Sequence, residues 1–177
     1  MTMRSLAVVS MLLNFLMAGL LFRQSRGYVS AVEGGQRAAP LSGADFEGKP
    51  VIVDYSLAPM TILYVFSPSC RWCEMNQGSA DRLAESVHGR ARFIAIALDR
   101  DGLFDWLQAH RPSYEVVTDA PRHLAPGVDV GSTPETIVIS RNGTVERIWY
   151  GLYQGETLRS IEAYFGVTLP ETPTPRQ

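Results

Sequence analysis

The stretch Ser67–Glu74 (SPSCRWCE) contains the only two cysteines of this 177-residue chain, Cys70 and Cys73. It follows a continuous run of apolar, β-branched and aromatic residues, Thr61–Phe66 (TILYVF), and precedes a segment in which apolar residues recur with helical spacing. A run that is apolar on both faces predicts a central, buried strand. We therefore expect the two cysteines at the point where a buried strand is followed by a helix.

The close spacing of Cys70 and Cys73 favours a reversible thiol pair over a structural disulfide. A disulfide that closes a four-residue loop stabilises a fold by roughly 2 kcal/mol, against about 3 kcal/mol for fifteen residues, and strain lowers the gain. A thiol reacts as its thiolate, and the unpaired N–H groups and the dipole at a helix start favour negative charge. The sequence predicts Cys70 as an exposed nucleophile and Cys73, one turn further on, as the resolving thiol. A structural disulfide is the less favoured alternative.

The composition is that of one globular domain with an accessory segment. Hydrophobic residues make up 46% of the chain, so the core does not need a disulfide or a metal. The net charge is −2, and no run of Lys or Arg follows the N-terminus, which argues against nucleic acid as a partner. His88, His110 and His123 lack the spacing of a zinc site. We expect no metal, and no cofactor other than a redox-active Cys70–Cys73 disulfide.

The N-terminal segment Ser5–Phe22 contains eighteen residues without a charge, which is long enough to cross a bilayer as a helix. It is interpreted as a retained membrane anchor, with a cleaved signal peptide as the alternative. Basic residues lie on both sides of it, at Arg4 and at Arg23, so charge does not determine its orientation. The predicted organisation is an anchor or signal segment at 1–23, a linker at 24–40, a globular domain at 41–169 and a disordered tail at 170–177. An ordered start of the domain is the alternative for the last linker residues.

Strand and helix patterns alternate along the globular part. Strands are predicted at 51–55, 61–66, 92–98, 114–118, 135–140 and 144–150. Helices are predicted to begin near Cys73, at an Asp101 N-cap and near Leu158. Asn142-Gly143 predicts a two-residue hairpin turn, and Asp119–Pro121 is interpreted as the start of a short helical turn. This order describes an α/β fold with a central sheet and helices on both of its faces.

The order strand, Cys-x-x-Cys, helix, and later Gly131–Thr136 (GSTPET) before a strand, resembles the thioredoxin fold. The likeness is greatest to membrane-anchored bacterial thiol–disulfide oxidoreductases of the TlpA/ResA and DsbE/CcmG type, over residues 41–169. This resemblance implies a central mixed sheet flanked by helices, with an N-terminal transmembrane helix. It also implies that Pro134 follows a cis peptide bond against the cysteine pair, and that the Thr133 backbone binds an extended substrate.

Three positions depart from the usual thioredoxin pattern. Ser69 stands where thioredoxins carry Trp before the first cysteine, and Trp72 lies inside the motif, either as a substrate platform or packed on the domain. Tyr64 replaces the buried acid that lies six residues before the first cysteine. A tyrosine cannot accept the Cys73 proton at neutral pH, so we expect Glu135 or water to do so. The resemblance places this acidic residue close to the active site; a solvated strand-edge carboxylate is the alternative.

The function that the resemblance implies is reduction of disulfides in specific exported proteins by the Cys70-Cys73 dithiol. Substrates of this family include apocytochrome c, cofactor-bearing enzymes and copper-site assembly proteins, so cytochrome c maturation is one expected role. The same resemblance implies a single-pass protein of the inner membrane, facing the periplasm and recharged by a membrane electron donor of the DsbD/CcdA kind. The alternative is a non-catalytic module that binds copper or docks a partner protein.

Overall fold

The computed structural model describes residues 35–172. The predicted anchor, most of the predicted linker and residues 173–177 lie outside this range. Within residues 35–172, no helix is long and apolar enough to span a membrane.

The described chain forms nine strands and three helices around one five-stranded sheet. In chain order the elements are β1 (Leu41–Ala44), β2 (Pro50–Val53), a 3-10 turn (Tyr55–Leu57), β3 (Met60–Phe66), α1 (Arg71–Ser86), β4 (Arg92–Ala97), α2 (Leu103–His110), β5 (Glu115–Val117), β6 (His123–Ala125), β7 (Val128–Asp129), β8 (Glu135–Ser140), β9 (Val145–Tyr150) and α3 (Gly155–Phe165).

The central sheet has the strand order β5-β4-β3-β8-β9. Strand β3 pairs in parallel with β4 and antiparallel with β8, so it lies in the middle of a mixed sheet. Every residue from Thr61 to Phe66 is buried. The apolar run before the cysteines is therefore the central strand, as the sequence predicted, because both of its faces are covered.

All three described helices pack on one face of the sheet, so the prediction of helices on both faces is wrong. The core on this face, called here the helix-side core, joins β3 to the helices through Ile62, Tyr64, Phe66, Cys73, Leu83, Trp106 and Ile161. The reason lies in the strand order, because β3–α1–β4 and β4–α2–β5 both step in the same direction across the sheet. Right-handed crossovers in one direction place both helices on the same face.

The other face is covered by two small antiparallel hairpins, β1–β2 and β6–β7. The core here, called the hairpin-side core, includes Leu41, Val53, Leu63, Val65, Leu124, Val128 and Ile137. The predicted helical turn at Asp119–Pro121 is absent from this part of the described chain, which leads into β6 instead. Strand pairing there buries Leu124 and Val128 against the sheet, which a single helical turn would not do.

Two local features differ from the sequence prediction in detail. Helix α2 is preceded by Gly102, with φ of 73° and no side-chain cap, rather than by an Asp101 N-cap. Between β8 and β9 the Gly143 N–H donates to the Ser140 carbonyl, and the Ser140 N–H donates to Thr144. This arrangement is a three-residue loop with Gly143 at φ of 81°, not a two-residue turn.

Both ends of the described chain are ordered beyond the predicted domain limits. Ala38 is buried, and its N–H donates to the Gly143 carbonyl at 2.8 Å. At the other end, Thr172 is buried, and its N–H donates to the Tyr153 carbonyl at 3.0 Å. The prediction of a disordered tail is therefore wrong for residues 170–172, since buried polar partners hold them against the domain.

Candidate active site

The two cysteines lie where β3 ends and α1 begins. Cys70 is the N-cap of α1 with an extended backbone, and the Cys73 N–H donates to its Sγ at 3.3 Å. This contact satisfies one of the N–H groups that a helix start leaves without a partner. Both cysteines are free thiols, with Cys70 partly exposed and Cys73 buried. A partner molecule can therefore reach the first sulfur and not the second.

The surroundings of the two thiols separate their pKa values. Burial acts to raise the pKa of Cys70, but hydrogen bonds from the Cys73 thiol, from the Thr133 side chain and from the N–H groups of Cys73 and Trp72 outweigh it, and the pKa is lowered. For Cys73, burial and then the neighbouring Cys70 raise the pKa to about 12. A thiolate therefore forms more readily on the accessible sulfur than on the buried one.

The loop before β8 brings Thr133 and Pro134 against this pair. The Cys70 thiol donates to the Thr133 carbonyl oxygen at 3.7 Å, although 63 residues separate them in sequence. The Thr133–Pro134 peptide bond is cis. Pro134 is buried, whereas Thr133 is half-buried. Four of the predicted site residues, Cys70, Cys73, Thr133 and Pro134, thus meet at one place.

Trp72 lies in the first turn of α1, two residues after Cys70. Its side chain is 46% exposed, and the preceding Arg71 is exposed as well. Trp72 is therefore only partly packed on the domain. Its position beside the reactive sulfur leaves a large aromatic surface free to contact a bound partner.

Glu135 is not brought next to Cys73. It opens β8 in register with Val65 of β3 and Tyr150 of β9, whose side chains face the hairpin-side core. Cys73 belongs to the helix-side core. Because side chains that pair directly across strands point to the same face, Glu135 and Cys73 lie on opposite faces of the sheet. A direct proton transfer between them would have to cross that sheet.

The Glu135 carboxyl is instead held by the loop that leads to Pro134. One oxygen, Oε2, accepts from the Gly131 N–H at 3.5 Å, and Oε1 has no hydrogen-bond partner among the described residues. The side chain is 1% exposed. Burial raises the pKa of Glu135 to about 7, against the opposing effect of the Gly131 and Ser132 N–H groups.

A buried polar network on the helix-side face was not found from the sequence. The Asn76 amide donates to the Tyr64 hydroxyl at 3.4 Å, and its Oδ1 accepts from the Tyr153 N–H and from the Thr172 hydroxyl, each at 2.8 Å. Burial raises the pKa of Tyr64 well above its usual value, so the phenol stays neutral. A signal was present, because Asn76 lies three residues after Cys73 on the buried face of α1.

No group of three or more His, Cys, Asp or Glu side chains within residues 35–172 is arranged to hold a metal ion. The site contains one partly exposed thiol, one buried thiol and the carbonyl group of Thr133 next to the first thiol. Such an arrangement can form a disulfide with a partner and then exchange it for an internal one.

Comparison with known proteins extends this description. No family model matches the sequence, and no curated protein matches it. Solved structures do match. A DsbF homologue from Corynebacterium diphtheriae has a TM-score of 0.63 at 14% identity, over 77% of this chain and 91% of that protein. A thiol:disulfide interchange protein of the thioredoxin family from Chlorobium tepidum has a TM-score of 0.55 at 17% identity, over 75% and 98%.

A third solved structure is a secreted disulfide oxidoreductase from Mycobacterium tuberculosis that is homologous to E. coli DsbE. Its TM-score is 0.53 at 16% identity, over 71% of this chain and 93% of that protein. These neighbours agree with the DsbE-type resemblance of the sequence. At such identities the likeness shows the fold, and this chain has a thioredoxin-like α/β fold with a central mixed sheet.

Proposed function

We propose that this chain is a thiol–disulfide oxidoreductase that reduces disulfides of protein substrates through Cys70 and Cys73. The observation that carries the proposal is the position of Cys70. It caps a helix, its pKa is lowered, and its sulfur lies 3.7 Å from the carbonyl oxygen of Thr133. An accessible nucleophile and the Thr133 backbone, which the family resemblance assigns to substrate binding, therefore occur together.

The proposed cycle has two exchange steps. The Cys70 thiolate attacks one sulfur of the substrate disulfide, forms a mixed disulfide and releases the other substrate sulfur as a thiolate. Cys73 then loses its proton, and its sulfur displaces the substrate from Cys70. The products are the Cys70–Cys73 disulfide and a substrate dithiol, so two electrons pass to the substrate. The released substrate thiolate or water receives the Cys73 proton, since Glu135 lies on the other face of the sheet.

The setting of this reaction is proposed from the sequence. The apolar segment Ser5–Phe22 and the DsbE-type resemblance support a domain anchored in the inner membrane and facing the periplasm. Its substrates would then be specific exported proteins, and a membrane electron donor of the DsbD/CcdA kind would reduce it again. A C-terminal reporter that is active only outside the cytoplasm tests this orientation, and a silent reporter would contradict it.

Trapping of intermediates tests the chemistry. We expect Cys73→Ser to accumulate mixed disulfides through Cys70, because the second exchange step is removed. Cys70→Ser should accumulate none, because the remaining sulfur is buried. The two serine variants serve as matched controls for each other. Accumulation in Cys70→Ser in place of Cys73→Ser would show that the roles are reversed.

The direction of electron flow needs a measured potential. A dithiol potential near that of thioredoxin, about −270 mV, supports a reductant, whereas one near −120 mV indicates an oxidant. No observation within residues 35–172 favours the alternative of a non-catalytic module that holds copper or docks a partner. Copper(I) titration of the reduced protein separates that alternative from the proposed enzyme.

A further inference from the structure

This inference rests on the proposed function and concerns the substrates that the same site selects. Two exposed aromatic side chains, Phe46 and Phe104, stack on each other with ring centroids 5.8 Å apart. They are 40% and 56% exposed. The pair is called here the Phe46–Phe104 patch.

The fold places this patch at the same edge of the sheet as Cys70. The parallel strands β3, β4 and β5 end at one edge, and the segments that follow them carry Cys70, Phe104 and Thr118 there. The β1–β2 turn, which carries Phe46, reaches the edge through a bridge between Ala44 and Thr118. The carboxyl ends of parallel strands are also where α/β folds commonly bind their ligands.

The backbone next to the patch approaches the loop that carries Cys70. Gly102 lies two residues before Phe104 and beside Pro68. A Cβ atom added to Gly102 would lie 3.7 Å from the Pro68 Cβ. Pro68 is itself two residues before Cys70. On the other side of Cys70 lies the half-exposed Trp72. Aromatic surface is therefore exposed on Trp72, beside the sulfur, and on Phe104, at the same end of the sheet.

The surroundings of the patch are acidic. The β1–β2 turn, the segment from β4 into α2 and the segment after β5 hold six carboxylates, Asp45, Glu47, Asp99, Asp101, Asp105 and Asp119, against two basic side chains, Lys49 and Arg100. Arg100 pairs with Asp119 at 2.7 Å and Lys49 pairs with Glu47, so four of the six carboxylates have no salt-bridge partner within residues 35–172. The patch thus offers aromatic surface within a negative field, which favours cationic partners.

We propose that the Phe46–Phe104 patch docks a segment of the substrate polypeptide that carries an apolar side chain and Lys or Arg residues close to the disulfide. We assign the patch to the disulfide-bearing chain, because a partner that forms a bond with Cys70 covers the adjoining surface at Pro68, which lies beside Gly102. Apolar burial on the phenylalanines would provide affinity. The carboxylates would provide orientation and a faster encounter.

The test compares rates of disulfide reduction by the reduced full chain. The probes are three cystine peptides and one small disulfide, dithiobis(nitrobenzoate). Beside its disulfide, the first peptide carries Leu and two Lys, the second carries Leu and two Glu, and the third carries only Gly and Ser. We expect the Leu-Lys peptide to react about 10-fold faster than the Leu-Glu peptide at low salt, and this preference to shrink as salt rises. Phe104→Ala should slow the Leu-Lys peptide about 5-fold and leave the small disulfide unchanged.

Two further variants sharpen the comparison. Leu57→Ala is the matched control, because Leu57 is 72% exposed but lies beside Arg92 at the opposite edge of the sheet. Replacing Asp101 and Asp105 with Asn should reduce the preference for the Leu-Lys peptide without altering its apolar contact. Both substitutions are at exposed positions, so neither removes core contacts.

The outcomes distinguish this inference from the proposed function. Equal peptide rates, with Phe104→Ala behaving as Leu57→Ala, would overturn the docking site while the small disulfide is still reduced. Failure to reduce any disulfide would overturn the proposed function itself. If the wild-type chain self-associates and Phe104→Ala does not, the occupant of the patch is a second copy of the chain. If the wild-type chain binds neutral lipid vesicles and Phe104→Ala does not, the occupant is a lipid surface. Either result would show that the inference is wrong.

Discussion

At the scale of single residues, the proposed roles of the two cysteines follow from the position of each sulfur at the start of α1. Cys70 precedes the first turn, so its sulfur accepts the Cys73 N–H and remains open to a partner. Cys73 is one turn further and faces the core. The same helix start thus lowers the pKa of one thiol, whereas burial raises that of the other.

Alkylation by iodoacetamide measures this difference directly. In the reduced protein we expect alkylation of Cys70 to rise with pH and to reach its midpoint below that of a free cysteine, about 8.5, because its pKa is lowered. In Cys70→Ser, the remaining Cys73 should react at least about 100-fold more slowly at pH 8, since few thiolates form and the sulfur is buried. Equal rates for Cys70→Ser and Cys73→Ser would contradict the assignment.

At the scale of elements, the start of β8 combines a buried carboxylate with the loop that faces Cys70. The Gly131 N–H donates to Glu135, and the Thr133 carbonyl accepts from the Cys70 thiol. Glu135 therefore bonds to the loop at Gly131, whereas the same loop contacts Cys70 at Thr133. Its carboxyl is a positioning group for the loop, and its protonation changes the stability of the fold.

The pH dependence of stability tests this placement. Burial raises the pKa of Glu135 to about 7 in the folded state, above the value of about 4.3 for an unfolded chain. The folded state then holds more protons between these values, so this group lowers the unfolding free energy as pH rises from 4.3 to 7. Glu135→Gln removes the effect. We expect the variant to gain about 2 kcal/mol relative to wild type between pH 5 and pH 8.

Urea unfolding at the two pH values provides the measurement, with the exposed Glu156→Gln as the matched control. A difference between Glu135→Gln and wild type that stays constant with pH would show that the carboxyl titrates normally. The same variant should leave resolution of a mixed disulfide unchanged, because Glu135 and Cys73 lie on opposite faces of the sheet.

At the scale of the whole molecule, local pattern located the central strand and the helix after the cysteines, but its detailed predictions at Asp101 and Asn142-Gly143 were wrong. The buried strand Thr61–Phe66 and the helix start at the cysteines were predicted because each depends on residues close in sequence. The common face of the three helices was missed, since it depends on strand order. The hairpin β6–β7 was missed because its residues gain their burial only from the assembled sheet.

The polar network below Cys73 shows the same limit most clearly. Thr172 and Asn76 are 96 residues apart, and their hydrogen bond exists only once the chain has closed around α1. The sequence showed that Tyr64 replaces the buried acid of thioredoxins. Its hydrogen-bond partner Asn76 could not be predicted from the residues next to Tyr64 in sequence. Residues 170–172 belong to a polar segment that contains several prolines. They are nevertheless held in place, because Pro170 and Thr172 form hydrogen bonds with Ser79 and Asn76 of α1.

Thr172 holds this C-terminal segment against α1. Thr172→Val keeps the shape of the side chain and removes its hydroxyl, which donates to Asn76 Oδ1 at 2.8 Å and contacts the Ser79 hydroxyl. We expect a loss of about 1–2 kcal/mol in the free energy of unfolding by urea, because buried acceptors lose a donor. Thr168→Val, at an exposed position nearby, is the matched control. Equal unfolding midpoints for the two variants would show that the C-terminal segment does not stabilise α1 beneath the cysteine pair.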